Sequence, residues 1–360
     1  MKKAFISDCE GPISKNDNAF EITSHFVPNG HNLFTIISKY DDVLADIVKK
    51  PNYKAGYTLK LIIPFLKAYD VTDRKMRQFS AQNLVLIPNI TTTLQHVRNI
   101  AHAFIVSTSY EHYIKAVCRA LSFPYDNTYC TRLSIDKYSM TEEEKARLKK
   151  LASEIQQMPM IKIPSGAKSL NDLPEECRKT IQRLDEIFWR EMTNMESGKI
   201  FREINPVGSG EKADAVREVA EKVGIDLSEV MYIGDSITDV EAFRLVKEND
   251  GLTISFNGNQ YAVGNAEVAI LSENSIVITI IADVFCRFGK QETLDLVENW
   301  SRESLRKSQV GQALLNRFLD LYLRELPKAK IITSENMGIL ARKSSEFRKK
   351  VRGEVVGRLG

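Results

Sequence analysis

The sequence is poor in cysteine and in long apolar runs, and both shortages exclude whole classes of protein. It has no Cys-x-x-Cys pair, which argues against zinc and iron–sulfur sites and fits a reducing compartment; its cysteines are Cys9, Cys118, Cys130, Cys177 and Cys286. No apolar run approaches the ~20 residues that a membrane-spanning helix needs. The acid Asp8 comes too early for a signal peptide. We therefore expect a soluble, cytoplasmic protein with no transmembrane segment.

The net charge of the chain is small but unevenly distributed. Residues 301–360 contain 14 Lys and Arg against 6 Asp and Glu, a net charge of +8, so the first 300 residues carry −5 of the total of +3. A basic tail indicates contact with an anion, such as an acidic partner protein, a lipid surface or nucleic acid, although a solvated helix face gives the same pattern. The sequence shows no clear nucleic-acid site.

The rest of the composition is ordinary and indicates a folded protein of two or three domains. Of the 360 residues, 43% are hydrophobic and 27% are charged, which excludes a disordered or collagen-like chain. Short apolar runs end in polar clusters at residues 3–7, 103–106, 230–233 and 252–256, with helical patterns between them. This alternation is typical of a doubly wound parallel sheet, an α/β fold that binds ligands beyond the carboxyl ends of its strands.

The spacing of these strands predicts additions to the sheet domain. A βαβ unit takes roughly 30 residues, so residues 14–87 are in excess and are expected to form a helical cap after the first strand. Helical periodicity on both sides of a break predicts a hairpin at residues 139–206, lying over or beside the sheet. Residues 291–360 are expected to form a basic helical extension. The core domain is then formed by residues 1–13, 88–138 and 207–290.

Polar side chains stand where the strands end or where the next helix begins. They are Asp8 and Glu10, Ser107 and Thr108, Lys212, and Asp235 and Asp239. Their types, order and spacing resemble the four motifs of the haloacid dehalogenase superfamily of aspartyl-phosphate hydrolases, and residues 209–270 resemble its phosphoserine-phosphatase branch. The resemblance implies that superfamily's sheet domain with an inserted cap. It does not extend to the insertions or the basic tail.

These residue types also suit phosphoryl transfer on chemical grounds. A carboxylate such as Asp8 can attack phosphorus and form an acyl-phosphate, which splits one difficult displacement into two easier ones. Glu10 can protonate the leaving oxygen and later take a proton from water. Ser107, Thr108 and Lys212 would hold the phosphoryl oxygens and stabilise the charge that develops on them.

A hard divalent cation would offset the repulsion between these carboxylates and a phosphoryl anion. Mg²⁺ typically takes one or two carboxylates together with phosphate oxygen and water. Asp8 and Asp235 are the candidate carboxylate ligands, and the resemblance implies Glu10 as a ligand through its backbone carbonyl. Asp239 is expected to orient the site or to hold a water ligand.

Two features depart from the phosphatase pattern. Glu10 stands where the superfamily usually has aspartate, and its extra methylene moves the carboxyl group by about 1.5 Å. A displacement near 1 Å can cost on the order of 100-fold in rate, which puts full activity in question. A rough alignment places Lys60 at the branch's carboxylate-binding arginine and Asp17 or Glu21 near its amine-binding acid. These substitutions argue against phosphoserine as the substrate.

The leading hypothesis is an Mg²⁺-dependent phosphomonoester hydrolase that acts on a small phosphorylated metabolite through an aspartyl-phosphate. The alternative is a catalytically weak or inactive interaction or regulatory subunit on the same scaffold. The run Asp8-Cys9-Glu10-Gly11-Pro12 also resembles an archaeal family catalogued as energy-converting hydrogenase A subunit R, which implies a membrane hydrogenase complex as partner. The aromatic-rich cap is a candidate homodimer surface. A two-component receiver domain is disfavoured, because its acid pair follows the first strand, not a late one.

Overall fold

A seven-stranded sheet forms the centre of the computed structural model, which describes residues 3–164 and 166–359. The strands are β1 (Ala4–Ser7), β2 (His102–Tyr110), β3 (Thr128–Thr131), β4 (Val230–Gly234), β5 (Leu252–Phe256), β6 (Val268–Leu271) and β7 (Lys328–Ile331). They lie in the order β3-β2-β1-β4-β5-β6-β7. All neighbours are parallel except β6 and β7, which are antiparallel. The predicted α/β fold with a mostly parallel sheet is confirmed.

Helices cover both faces of the sheet. In chain order they are α1 (Asn18–Phe26), α2 (Gly30–Asp42), α3 (Thr58–Ala68), α4 (Asp73–Gln82), α5 (Ile90–Ile100), α6 (Glu111–Leu121), α7 (Glu142–Gln156), α8 (Glu175–Glu186), α9 (Gly198–Glu203), α10 (Ser209–Val223), α11 (Val240–Glu248), α12 (Gln260–Asn265), α13 (Ile276–Phe288), α14 (Lys290–Glu298), α15 (Arg302–Lys307), α16 (Gln312–Leu321) and α17 (Met337–Arg352). None of these helices, in the described part of the chain, combines the length and apolar character that crossing a membrane requires. Phe5 and Ile6 of β1 belong to hydrophobic clusters on opposite faces of the sheet. This double coverage explains why the strand is apolar throughout.

The register of the central strands brings their carboxyl ends together. Ser7 of β1 lies opposite Ile105 of β2 and opposite Ile233 of β4. Residues just beyond these positions, including Asp8 and Asp235, therefore emerge at one edge of the sheet. In an open parallel sheet this edge is where ligands bind.

The C-terminal extension is helical as predicted, and it also contains a strand, the edge strand β7 at Lys328–Ile331. Ile331 pairs with Val268 of β6, and the exposed lysines Lys328 and Lys330 flank the buried Ala329. Lysines on an edge strand discourage pairing with other chains. Lys328 and Lys330 interrupt this segment, so it does not form an apolar run that indicates a buried strand. The strands β3 and β6 are also absent from those predicted.

The second insertion packs on the cap and not over or beside the sheet, so the predicted location of this hairpin is wrong. Helix α7 lies against α2 and α3 of the cap. One hydrophobic cluster joins cap residues such as Phe65 with insertion residues such as Leu148 and Phe188. The rings of Phe65 and Phe188 meet edge to face with their centroids 6.2 Å apart. Periodicity identifies the apolar face of a helix, but it does not identify the element that covers that face.

The last helix, α17, returns to the carboxyl edge of the sheet. It lies against α12 and β6, and the Ser344 hydroxyl donates a hydrogen bond to the carbonyl of Gly258 at 2.6 Å. The buried residues of the helix are Leu340, Ser344, Arg348 and Val351, a stripe at helical spacing. The basic tail therefore directs Arg348 into the protein, and the side chain of Arg352, one turn later, is only 4% exposed.

Candidate active site

The acids identified from the sequence lie together at the carboxyl edge of the sheet. Asp8 follows β1 and Asp235 follows β4, and the backbone N–H of Asp8 donates to the carbonyl of Ile233 at 2.8 Å. Asp8, Asp235 and Asp239 each offer a carboxylate oxygen within 4.8 Å of the other two. All three side chains are buried. We call these three residues the acidic cluster.

Lys212 lies in the first turn of α10 and joins two members of the acidic cluster. Its ammonium group is 2.8 Å from Asp8 Oδ2 and 2.7 Å from Asp239 Oδ1, with no solvent exposure. Although burial lowers the pKa of Lys212, the carboxylates of Asp239 and Asp8 raise it above its usual value. A permanently charged ammonium group therefore lies beside the proposed nucleophile.

Asp8 is a buried carboxyl group whose surroundings disfavour its ionised form. Burial raises the pKa of Asp8 to about 7, and the charges of Asp239 and Asp235 raise it as well, against the opposing effect of Lys212. Its Oδ1 accepts a hydrogen bond from the backbone N–H of Cys9 at 2.6 Å. An added cation near this carboxyl group would favour its ionised form.

Asp239 is held by hydrogen bonds on both of its oxygens. Oδ1 accepts from Lys212 and from the Tyr232 hydroxyl at 2.8 Å, and Oδ2 accepts from the backbone N–H groups of Asp235 at 2.9 Å and Ser236 at 3.0 Å. A carboxylate has about four acceptor positions, and these bonds occupy them. The arrangement favours the orienting role for Asp239 over direct metal ligation.

Asp235 is paired with two arginines that sequence reasoning missed as site residues. Arg348 Nη1 contacts Asp235 Oδ2 and lies 3.1 Å from the Asp235 carbonyl oxygen, and Arg352 Nη1 is 3.1 Å from the same Oδ2. Both arginines belong to α17. Their spacing of four residues places them on one helix face, but a basic helix with a solvated face has the same pattern.

Ser107 and Thr108 lie on the wall of the site, in β2. The Ser107 hydroxyl bonds with the Ser109 hydroxyl at 3.2 Å and accepts from the Ser109 N–H at 3.3 Å. Among the described residues, the buried Thr108 Oγ1 has no hydrogen-bond partner. A buried hydroxyl group left without a partner is unfavourable, so Thr108 is available to a bound ligand.

Glu10 reaches from the core towards the cap. Its Oε1 accepts a hydrogen bond at 2.7 Å from the backbone N–H of Asn18, the first residue of α1. Burial, with the nearby charge of Asp17, raises the pKa of Glu10 well above its usual value. The extra methylene that separates Glu10 from the usual aspartate is therefore used to contact a cap helix, and the raised pKa favours the protonated acid.

The cap closes over these groups and leaves a cavity of about 100 Å³. Its lining includes Asp8, Ser107 and Asp235 from the core, Ser38 and Thr58 from the cap, and Arg348 and Arg352 from α17. The position of Gly11 is set by the same crowding, since its φ is +112° and a Cβ there would overlap the Asp235 carboxylate.

The alignment with the phosphatase branch places three residues in its substrate pocket, and in this structure they have different surroundings. Asp17 lines the cavity. Lys60 is buried with its ammonium group 3.2 Å from the centroid of the Tyr57 ring. Glu21 accepts two hydrogen bonds from the Asn16 side-chain amide, at 2.9 Å and 2.8 Å. Lys60 is thus partnered by an aromatic ring.

The donor set suits a divalent cation. Asp8 and Asp235 offer hard carboxylate oxygens from neighbouring strand ends, which is the ligand type that Mg²⁺ prefers. The guanidinium groups of Arg348 and Arg352 contact one of these oxygens, Asp235 Oδ2. Arg348, Arg352 and a bound metal ion would therefore contact the same carboxylate group, that of Asp235.

Comparison with known proteins agrees with this geometry. Residues 89–283 match the family model described as haloacid dehalogenase-like hydrolase. A phosphoserine phosphatase of Archaeoglobus fulgidus is 31% identical over 110 residues, which are 30% of this chain and only 30% of that protein. A solved structure of a gene product of Archaeoglobus fulgidus is 26% identical, with a TM-score of 0.81, over 100% of this chain and 99% of that one. The resemblance to the hydrogenase-subunit family stays a prediction. The matched region, the fold and the clustered motif residues agree, and the chain belongs to the haloacid dehalogenase-like hydrolases.

Proposed function

We propose that the protein is an Mg²⁺-dependent phosphomonoester hydrolase that acts on a small phosphorylated metabolite through an aspartyl-phosphate at Asp8. The observation that carries this proposal is the contact of Lys212 with both Asp8 and Asp239, directly behind Asp8 and Asp235, which line a cap-covered cavity. A surface lysine would not be placed in this way. Lys212 is instead a fully buried cation directed at the carboxylate of the proposed nucleophile.

In the first step an Asp8 oxygen attacks phosphorus. The Asp8 oxygen–phosphorus bond forms, the bond from phosphorus to the leaving oxygen breaks, and protonated Glu10 gives its proton to that oxygen. In the second step water attacks the same phosphorus, the Asp8 oxygen–phosphorus bond breaks, and ionised Glu10 takes the proton from water. Inorganic phosphate is released, and Asp8 and Glu10 return to their initial states.

Other residues of the chain hold the charge that these steps develop. Lys212 stabilises negative charge on the phosphoryl oxygens, and the hydroxyl groups of Ser107 and Thr108 donate hydrogen bonds to them. Asp8 and Asp235 would hold Mg²⁺, whose charge would offset repulsion between the carboxylates and the phosphoryl group. Asp239 keeps Lys212 and the backbone after β4 in place.

The cavity supports a small substrate. A volume of about 100 Å³ leaves room for a phosphoryl group and a short organic portion under the cap. The contact of Lys60 with the Tyr57 ring gives no support to phosphoserine, because that branch recognises the substrate carboxylate with an arginine at this position. The proposal therefore stops at a phosphorylated metabolite.

The test measures phosphate release from p-nitrophenyl phosphate by the full chain, with and without Mg²⁺. We expect turnover that Mg²⁺ stimulates, and its loss by about 1,000-fold or more in Asp8→Asn, because that substitution removes the nucleophile. The melting temperature of Asp8→Asn should show that the variant is folded. An absence of turnover by the wild-type chain over a broad panel of phosphate esters with Mg²⁺ would contradict the proposal.

A second candidate function is that of an interaction or regulatory subunit on the same fold. The observation that favours it is the pairing of Asp235 with Arg348 and Arg352, which places two protein cations at a position needed for metal-dependent chemistry. This candidate predicts no turnover and a stable complex with another protein when the full chain is purified from its native cells. Turnover on the ester panel would exclude it.

A further inference from the structure

The C-terminal helix supplies the acidic cluster with two cations on one carboxylate oxygen. Arg348 and Arg352 both contact Asp235 Oδ2, and the side chains of the three residues are 3%, 4% and 2% exposed. Arginines of a solvated basic helix would instead extend into water. These two are an internal feature of the site.

Further hydrogen bonds fix both guanidinium groups. Arg348 Nη2 donates to the carbonyl of Leu359 at 3.1 Å, and Arg352 Nε donates to the carbonyl of Lys15 at 3.0 Å, while Arg352 Nη2 contacts the carbonyl of Asn16. The acceptors belong to the segment after β1 and to the end of the chain. The arginines therefore sit in a built position in which planar donors match backbone and carboxylate acceptors.

The charges explain what the arginines do there. When its three carboxylates are ionised, the acidic cluster carries three negative charges, and Lys212 supplies one positive charge. Arg348 and Arg352 supply two more, which makes the group neutral. A divalent cation would supply the same two charges. The arginine pair and a divalent cation therefore carry the same charge and would meet the same carboxylate, that of Asp235.

The attachment of α17 allows its release. Its buried residues form a single stripe, and the apolar ones among them are Leu340 and Val351. Leu340 belongs to a small cluster with Val263 and Ala269, whereas Val351 and the half-buried Phe347 pack on the main core. Beyond the helix, Gly353 has a φ of +87°. Since α17 is attached along this one face, its displacement would break fewer contacts than opening the sheet domain.

We propose that α17 is an internal inhibitor of metal binding, in which Arg348 and Arg352 compete with a divalent cation for Asp235. The structure shows the closed state, with the arginines on Asp235. Binding of a divalent cation requires the arginines to leave, and a partner or substrate anion that binds them would open the site. The inference rests on the proposed function only in the identity of the metal site, and it does not require turnover.

The experiment measures divalent-cation binding by the full chain. Mn²⁺ serves as the probe, and the free ion is counted by electron paramagnetic resonance in titrations of wild type and of the double variant Arg348→Gln/Arg352→Gln. If the arginines leave Asp235 in only a fraction of the molecules, replacing them raises the apparent affinity for Mn²⁺ by the inverse of that fraction. We expect about tenfold tighter binding or more. The matched control is Arg342→Gln/Lys343→Gln, which removes two exposed cations from the same helix and should bind Mn²⁺ within about twofold of wild type.

A second measurement uses the wild-type chain alone. Mg²⁺ should increase the rate of limited proteolysis in α17 several-fold, because the displaced helix is accessible to the protease. The single variant Arg352→Gln, which keeps Arg348, should bind Mn²⁺ with intermediate affinity and serves if the double variant does not fold. Unchanged or weaker Mn²⁺ binding in the arginine variants would overturn the proposal. Tighter binding without phosphate release from any ester would support the inference and contradict the hydrolase proposal.

Discussion

The two sides of the acidic cluster are neutralised in different ways. On one side Lys212 lies in α10, within the region that matches the family model, and contacts Asp8 and Asp239. On the other side Arg348 and Arg352 contact Asp235 from α17, outside that region. The region that matches the family model thus supplies one buried positive charge, and the C-terminal helix outside it supplies two.

We therefore expect Lys212 to stabilise the fold and the two arginines to control metal binding. Removal of one partner of a buried ion pair typically costs about 3–5 kcal/mol, because it leaves an uncompensated charge. No ligand of the proposed reaction would replace the Lys212 ammonium group, whereas in our proposal a divalent cation replaces the guanidinium groups at Asp235. The predictions below test this asymmetry in order of decreasing effect.

The largest effect is expected on the side of Lys212. Lys212→Met should lower the free energy of unfolding by about 3–5 kcal/mol at neutral pH, since Asp8 and Asp239 lose their shared cation. Urea unfolding measures this change, and saturating Mg²⁺ should restore only part of it. Arg217→Met is the control: its exposed side chain on the same helix should change stability by less than about 1 kcal/mol. Equal stability of the two variants would contradict the buried pairing.

Glu10→Gln tests the acid–base role without removing the contact with the cap. The glutamine carbonyl can still accept the Asn18 N–H, so the melting temperature should stay close to that of wild type. Phosphate release should fall by about 100-fold or more, because the amide neither donates nor takes the required proton. A rate within threefold of wild type would remove Glu10 from the mechanism.

On the side of the arginines, the expected loss of stability depends on metal. Arg348→Met should lower the free energy of unfolding by about 2 kcal/mol in the absence of divalent cations, since Arg352 still contacts Asp235. Saturating Mg²⁺ should reverse most of this loss through its preferential binding to the folded variant. Urea unfolding with EDTA and with Mg²⁺ gives the two values. If Mg²⁺ does not reduce the difference in the free energy of unfolding between wild type and Arg348→Met, the arginine side of the acidic cluster behaves like the Lys212 side.

A smaller effect is expected from the hydrogen bond that orients Asp239. Tyr232→Phe removes the hydroxyl that donates to Asp239 Oδ1 at 2.8 Å. We expect a loss of about 1 kcal/mol in the free energy of unfolding, with divalent-cation binding unchanged. A change in Mn²⁺ affinity greater than about threefold would show that Asp239 takes part in ligation.

Glu21 is a partly buried acid outside the acidic cluster, and it serves as a comparison for the ion-paired acids. Its hydrogen-bond donor is the uncharged Asn16 amide. Burial raises the pKa of Glu21 from 4.5 to about 7, so protonation favours the folded state and its stabilising effect is lost as the pH rises from about 4.5 to 7. Glu21→Gln lacks this titration. The melting temperature of wild type relative to Glu21→Gln should therefore be lower at pH 8 than at pH 5. An opposite or absent trend would contradict the raised pKa.

The sequence was sufficient to identify the sheet and the residues at its edge. Parallel strands of apolar residues that end in polar clusters can place Asp8, Ser107 and Asp235 together in only a few ways, because the register aligns their carboxyl ends. The nearness of Lys212 followed from the resemblance and from its position at the start of a helix. These predictions rest on local patterns whose consequences in a parallel sheet are well defined.

The sequence could not reveal which surfaces the added segments cover. The hairpin of residues 139–206 has apolar faces that fit the cap as well as the sheet, and nothing in its periodicity chooses between them. Arg348 and Arg352 look like any basic pair on a helix until the fold brings α17 to Asp235. Long-range burial of charge has no local signature, since it depends on the position of a partner more than 100 residues away in the chain.

The central position of β1 has a consequence for the dynamics of the site. Its backbone is bonded on both sides, to β2 and to β4, so the amide hydrogens of this strand can exchange with solvent only when the sheet domain unfolds globally. The amide hydrogens of α17 are protected by one helix that is packed along a single face. The β1 side of the site is therefore expected to open only with global unfolding, whereas α17 is expected to open by local fluctuations. The rates of hydrogen–deuterium exchange of the two segments should then differ by orders of magnitude.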